Sequence, residues 1–333
     1  MIMATHIEAA SAVQFGHDEL CLQCPRCGGW IGNLPDRNAA ADTTLVCRDC
    51  CFKIVSEDGI WNSLPPERFA HFSRFIKEDL CDQAAQGLSS AGAEYYLALP
   101  YRDLSGQNSQ QWSLRARTFR YIKRHILPPA VPNADGRLKI LDLGAGTGWL
   151  SYRLALEGHS PIAVDLLTNN RNGLGAAAHY RKHLTTLFPR FQVDFDTLPF
   201  VDDEFDLVIY NASFHYSENY ERTLAEALRC TCANGTVLIT DTPWYSNESV
   251  AQQILAKRRE ACATDSALPT DTLKSLGYLT DKRLRRMEAS FGIHWQVHTP
   301  HDGVQRLMRK VFTRLHGDQE PPQLRTYSAR ARK

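Results

Sequence analysis

The segment KILDLGAGTGWLSYRLALEGHSPIAVD, Lys139 to Asp165, decides the fold. It opens on an apolar run and passes through a turn holding Gly144, Gly146 and Gly148. It then carries a helical pattern and closes on a second apolar run that ends in an acid. Two short strands flanking a helix make a βαβ unit, whose strands lie parallel in one sheet.

Working outward, the same alternation continues. Strands are expected over 138–143, 161–165, 190–194, 205–211 and 236–241, with helices near 148–157, 172–187 and 218–232. Beyond Trp244 come helices near 249–263 and 280–290 and a strand in GIHWQVH. A basic amphipathic helix is expected in GVQRLMRKVFTRL, 303–315. On the other side, SQQWSLRARTFRYIKRHIL reads as a helix ended by PPAVPNADG. ERFAHFSRFIKEDL carries Phe69, Phe72, Phe75 and Ile76 at helical spacing, and CDQAAQGLSSAGAE reads as a loop. The expected class is α/β: a Rossmann-like sheet with helices on both faces, preceded by a small cysteine-rich unit. The divisions are a loose terminus at 1–20, the cysteine-rich unit at 21–64, a helical cap and linker at 65–135, the sheet core at 136–245, and an extension at 246–333 that completes the sheet.

At 333 residues the chain can bury a large core, and 43% apolar with 23% charged residues is an ordinary globular balance. No apolar run reaches the length of a membrane span, and the first residues lack a signal-peptide pattern, so the cytoplasm is the expected compartment. The net charge of +1 gives no general attraction to nucleic acid, although 12 Lys+Arg against 5 Asp+Glu follow from Asp281 onward. Such a basic end can meet phosphates or lie solvated.

The glycine turn is not that of a dinucleotide fold. G-x-G-x-x-G ends on a glycine so that helix and strand can approach closely, whereas the sixth position here is Trp149. Asp142, two residues before the first glycine, would repel a pyrophosphate but suit a cationic amino-acid group.

LDLGAGTG followed by VD after the second strand, with VDFDTLPF, FDLVIYNASFHY and LRCTCANGTVLITD, resembles the class I S-adenosylmethionine (SAM) methyltransferases, and within them the subgroup of the quinone-biosynthesis enzymes. The likeness covers roughly 138–241. It implies that Asp142 and the backbone of Gly144, Ala145, Gly146 and Gly148 hold the methionine part. Asp165, 19 residues after Gly146, would hold both ribose hydroxyls. Asp194, preferred to Asp196, would accept from the adenine amino group, with Leu166 and Phe195 against the ring faces, and Asn211 would lie near the sulfonium. Surface capping for Asp165 and core packing for Phe195 are the plainer alternatives.

Methyl transfer needs alignment and exclusion of water, and a base only where the acceptor sheds a proton. His215, four residues past Asn211, is either that base or, with Tyr216, a wall of the pocket. Tyr95, Tyr96, Tyr101, Arg102, Trp112, Arg115, Arg117, Trp244 and Tyr245 are candidates for a flat or anionic acceptor's pocket and equally for packing between cap and sheet. NASF at the end of the fourth strand is not the Asn/Asp-Pro-Pro-aromatic signature of base-amine methylation.

Six of the ten cysteines fall between Cys21 and Cys51, which favours a metal over disulfides. Cys24-x-x-Cys27 and Cys47-x-x-Cys50 can direct four thiolates at one structural Zn²⁺; Cys21 and Cys51 leave the ligand choice open, and disulfides or an empty ribbon compete. CPRCGG, the second CxxC and Asp58-Gly59-Ile60 resemble the small zinc-ribbon activator subunits of RNA and protein methyltransferases, and also ribosomal RNA guanine methyltransferases with an N-terminal ribbon.

Two functions stand against each other. The first is methylation of oxygen or carbon on a small organic or lipid-like acceptor. The second is methylation of rRNA or tRNA, gripped by the ribbon and by Arg306, Arg309, Lys310 and Arg314. A non-catalytic SAM-binding partner is a third reading, and the sequence leaves the oligomeric state open.

Overall fold

A computed structural model describes residues 19–35, 43–85, 92–130, 136–264, 273–300 and 323–331. The basic segment with Arg306, Arg309, Lys310 and Arg314 lies outside the described residues, as does nearly all of the expected loose terminus.

The βαβ reading of the opening segment holds. Strand β6 (Lys139–Leu143) leads through the glycine turn into helix α5 (Trp149–Leu156) and returns as β7 (Ser160–Asp165), parallel to β6. Side chains alternate along β6. Leu141 and Leu143 enter one apolar cluster, while Ile140 enters another with Trp149, Leu150 and Leu154 of α5. The sheet is therefore buried on both faces, as a parallel sheet demands. Strands β8 (Arg190–Gln192), β9 (Phe205–Asn211) and β10 (Thr231–Trp244) join it, and strand order turns back between β6 and β9. Ligands of such sheets lie beyond the carboxyl ends at that switch point.

The described sheet has ten strands, in the order β11-β12-β10-β9-β6-β7-β8-β5-β4-β3. At one edge β12 (Gln323–Arg330) runs antiparallel to β10, and β11 (Gln296–His298) runs antiparallel to β12. At the other edge the cysteine-rich segment is built into the sheet. Its strand β5 (Ile60–Asn62) pairs parallel with β8, and β4 (Lys53–Glu57) and β3 (Thr44–Val46) follow antiparallel. Only β1 (Cys21–Gln23) and β2 (Trp30–Asn33) form a separate hairpin, and even this is stitched to the core by Gln23 N donating to Pro199 O at 3.2 Å.

Helix α1 (Pro66–Ala85) follows β5; the run expected to be a loop from Cys81 is helical as far as Ala85. Phe72 is buried under α1 and Phe69 is exposed. After α2 (Ala93–Ala98), helix α3 (Ser109–Tyr121) passes through a π turn into α4 (Leu127–Ala130), so Pro128 and Pro129 lie within a helix that 128–136 was expected to end. They occupy the last turn of this continuous helix, directly after its π turn. Trp149 explains why a bulky residue suits the sixth turn position. It turns away from the strand and packs edge-on to Trp112 and Phe119 of α3.

Two further sequence expectations need correction. The helix read over 172–187 is a 3₁₀ helix over Leu174–His183, because Asn169 Oδ1 accepts from the amides of Arg171, Asn172 and Gly173 and winds the chain into a tight turn first. The strand read over 236–241 starts at Thr231, directly after α6 (Tyr220–Cys230), through a bulge in its pairing with β9. Helices α7 (Glu248–Thr264) and α8 (Asp281–Phe291) complete the described elements.

Candidate functional site

The carboxyl ends of β6, β7, β9 and β10 bring together most residues singled out from the sequence. Gly144 leaves β6 at φ +75°, and a Cβ there would stand 2.4 Å from the Cβ of Ser213. Ser213 lies just past β9 and donates to Leu143 O at 2.5 Å. The turn after β6 and the turn after β9 are thus locked to each other, and only glycine fits the junction.

Asp142 is fully buried. Ser151 of α5 donates to its Oδ2 at 2.8 Å, while its Oδ1 has no partner among the described residues. Burial, opposed by the Ser151 hydrogen bond, pushes its carboxyl up to about 7. A buried acceptor without a donor is costly, and one aimed at a ligand's ammonium is the ordinary resolution.

Asp165 ends β7. Its Oδ2 accepts from Gly146 N at 2.8 Å and its Oδ1 from Leu167 N at 2.9 Å. The acid therefore fixes both the glycine turn and the chain that leaves β7. Leu166 is partly exposed, and its carbonyl accepts from Gln192 Nε2 at 2.9 Å. Phe195 packs edge-on to Tyr210, and its Cζ would lie 3.3 Å from a Cβ at Gly144. Ala145 is buried among aromatic side chains. Asn211 ends β9 and accepts from Thr240 Oγ1 at 3.1 Å. His215 is half-buried in a single 3₁₀ turn, its ring 4.3 Å from that of Tyr216.

Asp194 is more engaged than sequence reasoning foresaw. It is buried, and its Oδ2 accepts from Arg68 Nε of α1 at 2.6 Å and from Thr197 Oγ1 at 3.2 Å. Its Oδ1 accepts from Asp196 N at 2.7 Å. A carboxylate has about four acceptor positions, so about one remains for a ligand. Asp196 accepts from Thr223 Oγ1 at 2.8 Å and pairs with Arg68 and Arg222. Arg68 was not foreseen, since its partners lie 126 and 128 residues away.

Beside these, in β10 one residue past its parallel pairing with β9, Asp241 is buried at φ +49° and accepts from Thr118 Oγ1 of α3 at 2.8 Å. Arg115, one turn earlier on α3, lies with its Cζ 4.6 Å from the ring centre of Trp112. Burial lowers the pKa of Arg115, while Asp241, Tyr216 and Tyr95 raise it. The sequence clue available was a lone acid, Asp241, at the carboxyl end of a central strand.

The four sulfurs of Cys24, Cys27, Cys47 and Cys50 all lie within 4.8 Å of one another, with Cys24 to Cys50 at 3.5 Å and Cys27 to Cys47 at 3.6 Å. Tetrahedral zinc with bonds of about 2.3 Å sets its sulfurs about 3.8 Å apart, so the donor set fits. The two knuckles are built alike. Gly28 N donates to Cys24 O and Cys51 N to Cys47 O, with Gly28 at φ +76° and Cys51 at φ +58°. Cys51 thus takes the turn position of a glycine and is exposed, and Cys21 donates to Asn33 Oδ1 from β1; neither belongs to the four-sulfur group. Burial raises the Cys24 thiol to about 12. Burial opposes ionisation of Cys47 too, but the amides of Cys50 and Asp49 lower it to about 7.

No helix among the described residues is long and apolar enough to cross a membrane. Residues 141–239 match the family model described as a methyltransferase domain. The malonyl-[acyl-carrier protein] O-methyltransferase of Erwinia pyrifoliae is 28% identical over 40% of this chain and 48% of its own. The sarcosine/dimethylglycine N-methyltransferase of Halorhodospira halochloris is 28% identical over 42% and 50%. The chain thus spans about half the length of the curated relatives it matches. The solved phosphoethanolamine N-methyltransferase 2 of Haemonchus contortus, in complex with S-adenosyl-L-methionine, superposes with a TM-score of 0.42 at 15% identity, covering 62% of this chain and 51% of that one.

Proposed function

We propose that this chain, whose residues 141–239 are a class I methyltransferase domain, binds SAM at the switch point and methylates a small organic acceptor. The observation that carries the reading is the buried Oδ1 of Asp142 beneath the glycine turn, an acceptor that has no partner among the described residues and suits a cationic group. Asp142 and the backbone of Gly144, Ala145, Gly146 and Gly148 hold the methionine end; Asp165 takes the ribose hydroxyls; Leu166 and Phe195 flank the base. Asp194 offers its remaining acceptor position to the adenine amino group, and Arg68 holds that acid in place. SAM held by these residues would supply an activated methyl carbon to the acceptor. The chain's own work is to orient the acceptor and exclude water. Asn211, tied to Thr240, shapes the floor beside the methyl position.

His215 takes the acceptor's proton if the acceptor is a hydroxyl or an acidic carbon; retention of full turnover by His215→Ala leaves it as a pocket wall. Small acceptors are favoured by the near-neutral charge and by relatives whose names specify malonyl-[acyl-carrier protein] and sarcosine. The four cysteines hold a structural Zn²⁺ with every position filled by protein, so the metal takes no part in the chemistry. The deciding experiment incubates the protein with methyl-labelled SAM and fractionated lysate. Label in the small-molecule fraction supports the reading, and label in RNA, lost steeply with added salt, would replace it with an RNA methyltransferase.

A further inference from the structure

We infer that Arg115 is the anchor for a carboxylate on the acceptor, which makes the acceptor class a small organic acid; this deepens the methyltransferase reading and rests on it. Arg115 lies on α3 one turn before Thr118, whose hydroxyl donates to Asp241 of β10 at 2.8 Å, and Asp241 and Tyr216 act on the arginine's charge. This is the side of the switch point away from Asp165, so an acceptor held there faces the ligand turn from across Asn211.

Arg115 is half-buried, yet among the described residues no carboxylate stands at ion-pair distance from it and it donates no hydrogen bond. Its planar face is taken up by Trp112 at 4.6 Å, which leaves the N–H edge unspent. A desolvated arginine with unused donors is unfavourable unless an oxyanion completes it, and a carboxylate matches the fork with two parallel bonds.

A purely structural arginine would have closed on Asp241. Instead Asp241 is held by Thr118 and sits in the left-handed region at φ +49°, next to Ala212 at φ +56° past the neighbouring strand. Strained non-glycine backbone at two adjacent strand ends is a feature of ligand sites rather than of plain packing. Asp241 supplies a nearby counter-charge without occupying the fork.

The test uses the full chain saturated with S-adenosylhomocysteine and ligand-observed NMR. The probes are a panel of small aliphatic and aromatic carboxylic acids, each paired with its primary amide. Acids of the panel should bind, with their amides about tenfold weaker or absent. Arg115→Gln should abolish acid binding while calorimetric affinity for S-adenosylhomocysteine stays within about twofold. Arg115→Lys, which keeps the charge but not the fork, should fall between, and it stands in if the glutamine variant does not fold. Equal binding of acids and amides, no binding of any acid to the loaded protein, or acid binding that survives Arg115→Gln would each overturn the proposal. Failure of the wild-type chain to bind S-adenosylhomocysteine is read in the separate calorimetric arm, and it would sink the methyltransferase reading instead.

Discussion

Arg190 Nη2 donates to the carbonyl of Gly59 at 3.1 Å across 131 residues of sequence. The same nitrogen reaches Asp58 O at 3.0 Å, and Nη1 reaches Leu174 O at 3.1 Å. A buried cation with no carboxylate at ion-pair distance among the described residues thus binds the β4–β5 turn of the cysteine-rich segment to the sheet. Burial lowers its pKa to about 10, so it stays charged at neutral pH. Arg190→Ala should leave these carbonyls without donors and destabilise the chain by about 2–4 kcal/mol. A denaturant midpoint unchanged from wild type would show that the strand pairing alone holds the segment.

Because β5 pairs with β8, metal loss should be felt inside the sheet. One equivalent of zinc per chain is expected, released by a strong chelator. Hydrogen exchange should then rise first across 43–62 and along 190–192, while 139–143 and 205–211 stay protected. Less than half an equivalent of zinc in carefully prepared protein, or exchange unaltered after chelation, would remove the metal from the structure's support.

These two couplings mark the boundary of what the sequence discloses. The glycine turn, Asp142 and Asp165 were legible because all fall within one βαβ unit, where 3.6- and 2-residue periods and a fixed spacing constrain them. The clustering of Cys24, Cys27, Cys47 and Cys50 was legible from the fixed spacing of the two C-x-x-C pairs. The merger of β3–β5 with the sheet was not, since an edge strand's pattern does not name its neighbour. Arg68 with Asp194, and Thr118 with Asp241, meet across 126 and 123 residues, and no local pattern records such partners. The 3₁₀ helix over Leu174–His183 escaped because its apolar spacing resembles that of an α-helix, while a side chain before it, Asn169, sets the winding.

Asp142 gives the cleft a dependence on pH. Its carboxyl is raised to about 7 from an ordinary value of 3.8, so the folded chain holds a proton that the unfolded chain releases. Its contribution to stability is therefore full below about pH 4 and is lost as pH rises through about 7. An ammonium bound at Oδ1 needs the ionised form, so S-adenosylmethionine affinity should increase from pH 5 to about 7 with release of a proton. Calorimetry at pH 6 in buffers of different ionisation heat measures that release. It should vanish in Asp142→Asn, whose affinity should fall about 10–100-fold. Proton release identical in wild type and variant would mean that another group titrates.

Asp165 has two duties that its variants separate. Each carboxylate oxygen accepts a backbone amide, from Gly146 or Leu167, and the proposed ribose contact would be made by the same acid. Asp165→Ala removes all of these, so it should weaken S-adenosylhomocysteine binding about 100-fold and destabilise the glycine turn by about 1–3 kcal/mol. Asp165→Asn keeps one oxygen and turns the other into a donor facing an amide. It should hurt the turn nearly as much as alanine does, because one backbone N–H then meets an NH₂ group. Asp165→Glu keeps the charge but moves it by one methylene, which should preserve most of the stability and lose most of the affinity. Calorimetry and thermal melts on the three variants distinguish these effects. Near-normal affinity in Asp165→Ala would detach the ribose from this acid and leave it as a fastener of the turn alone.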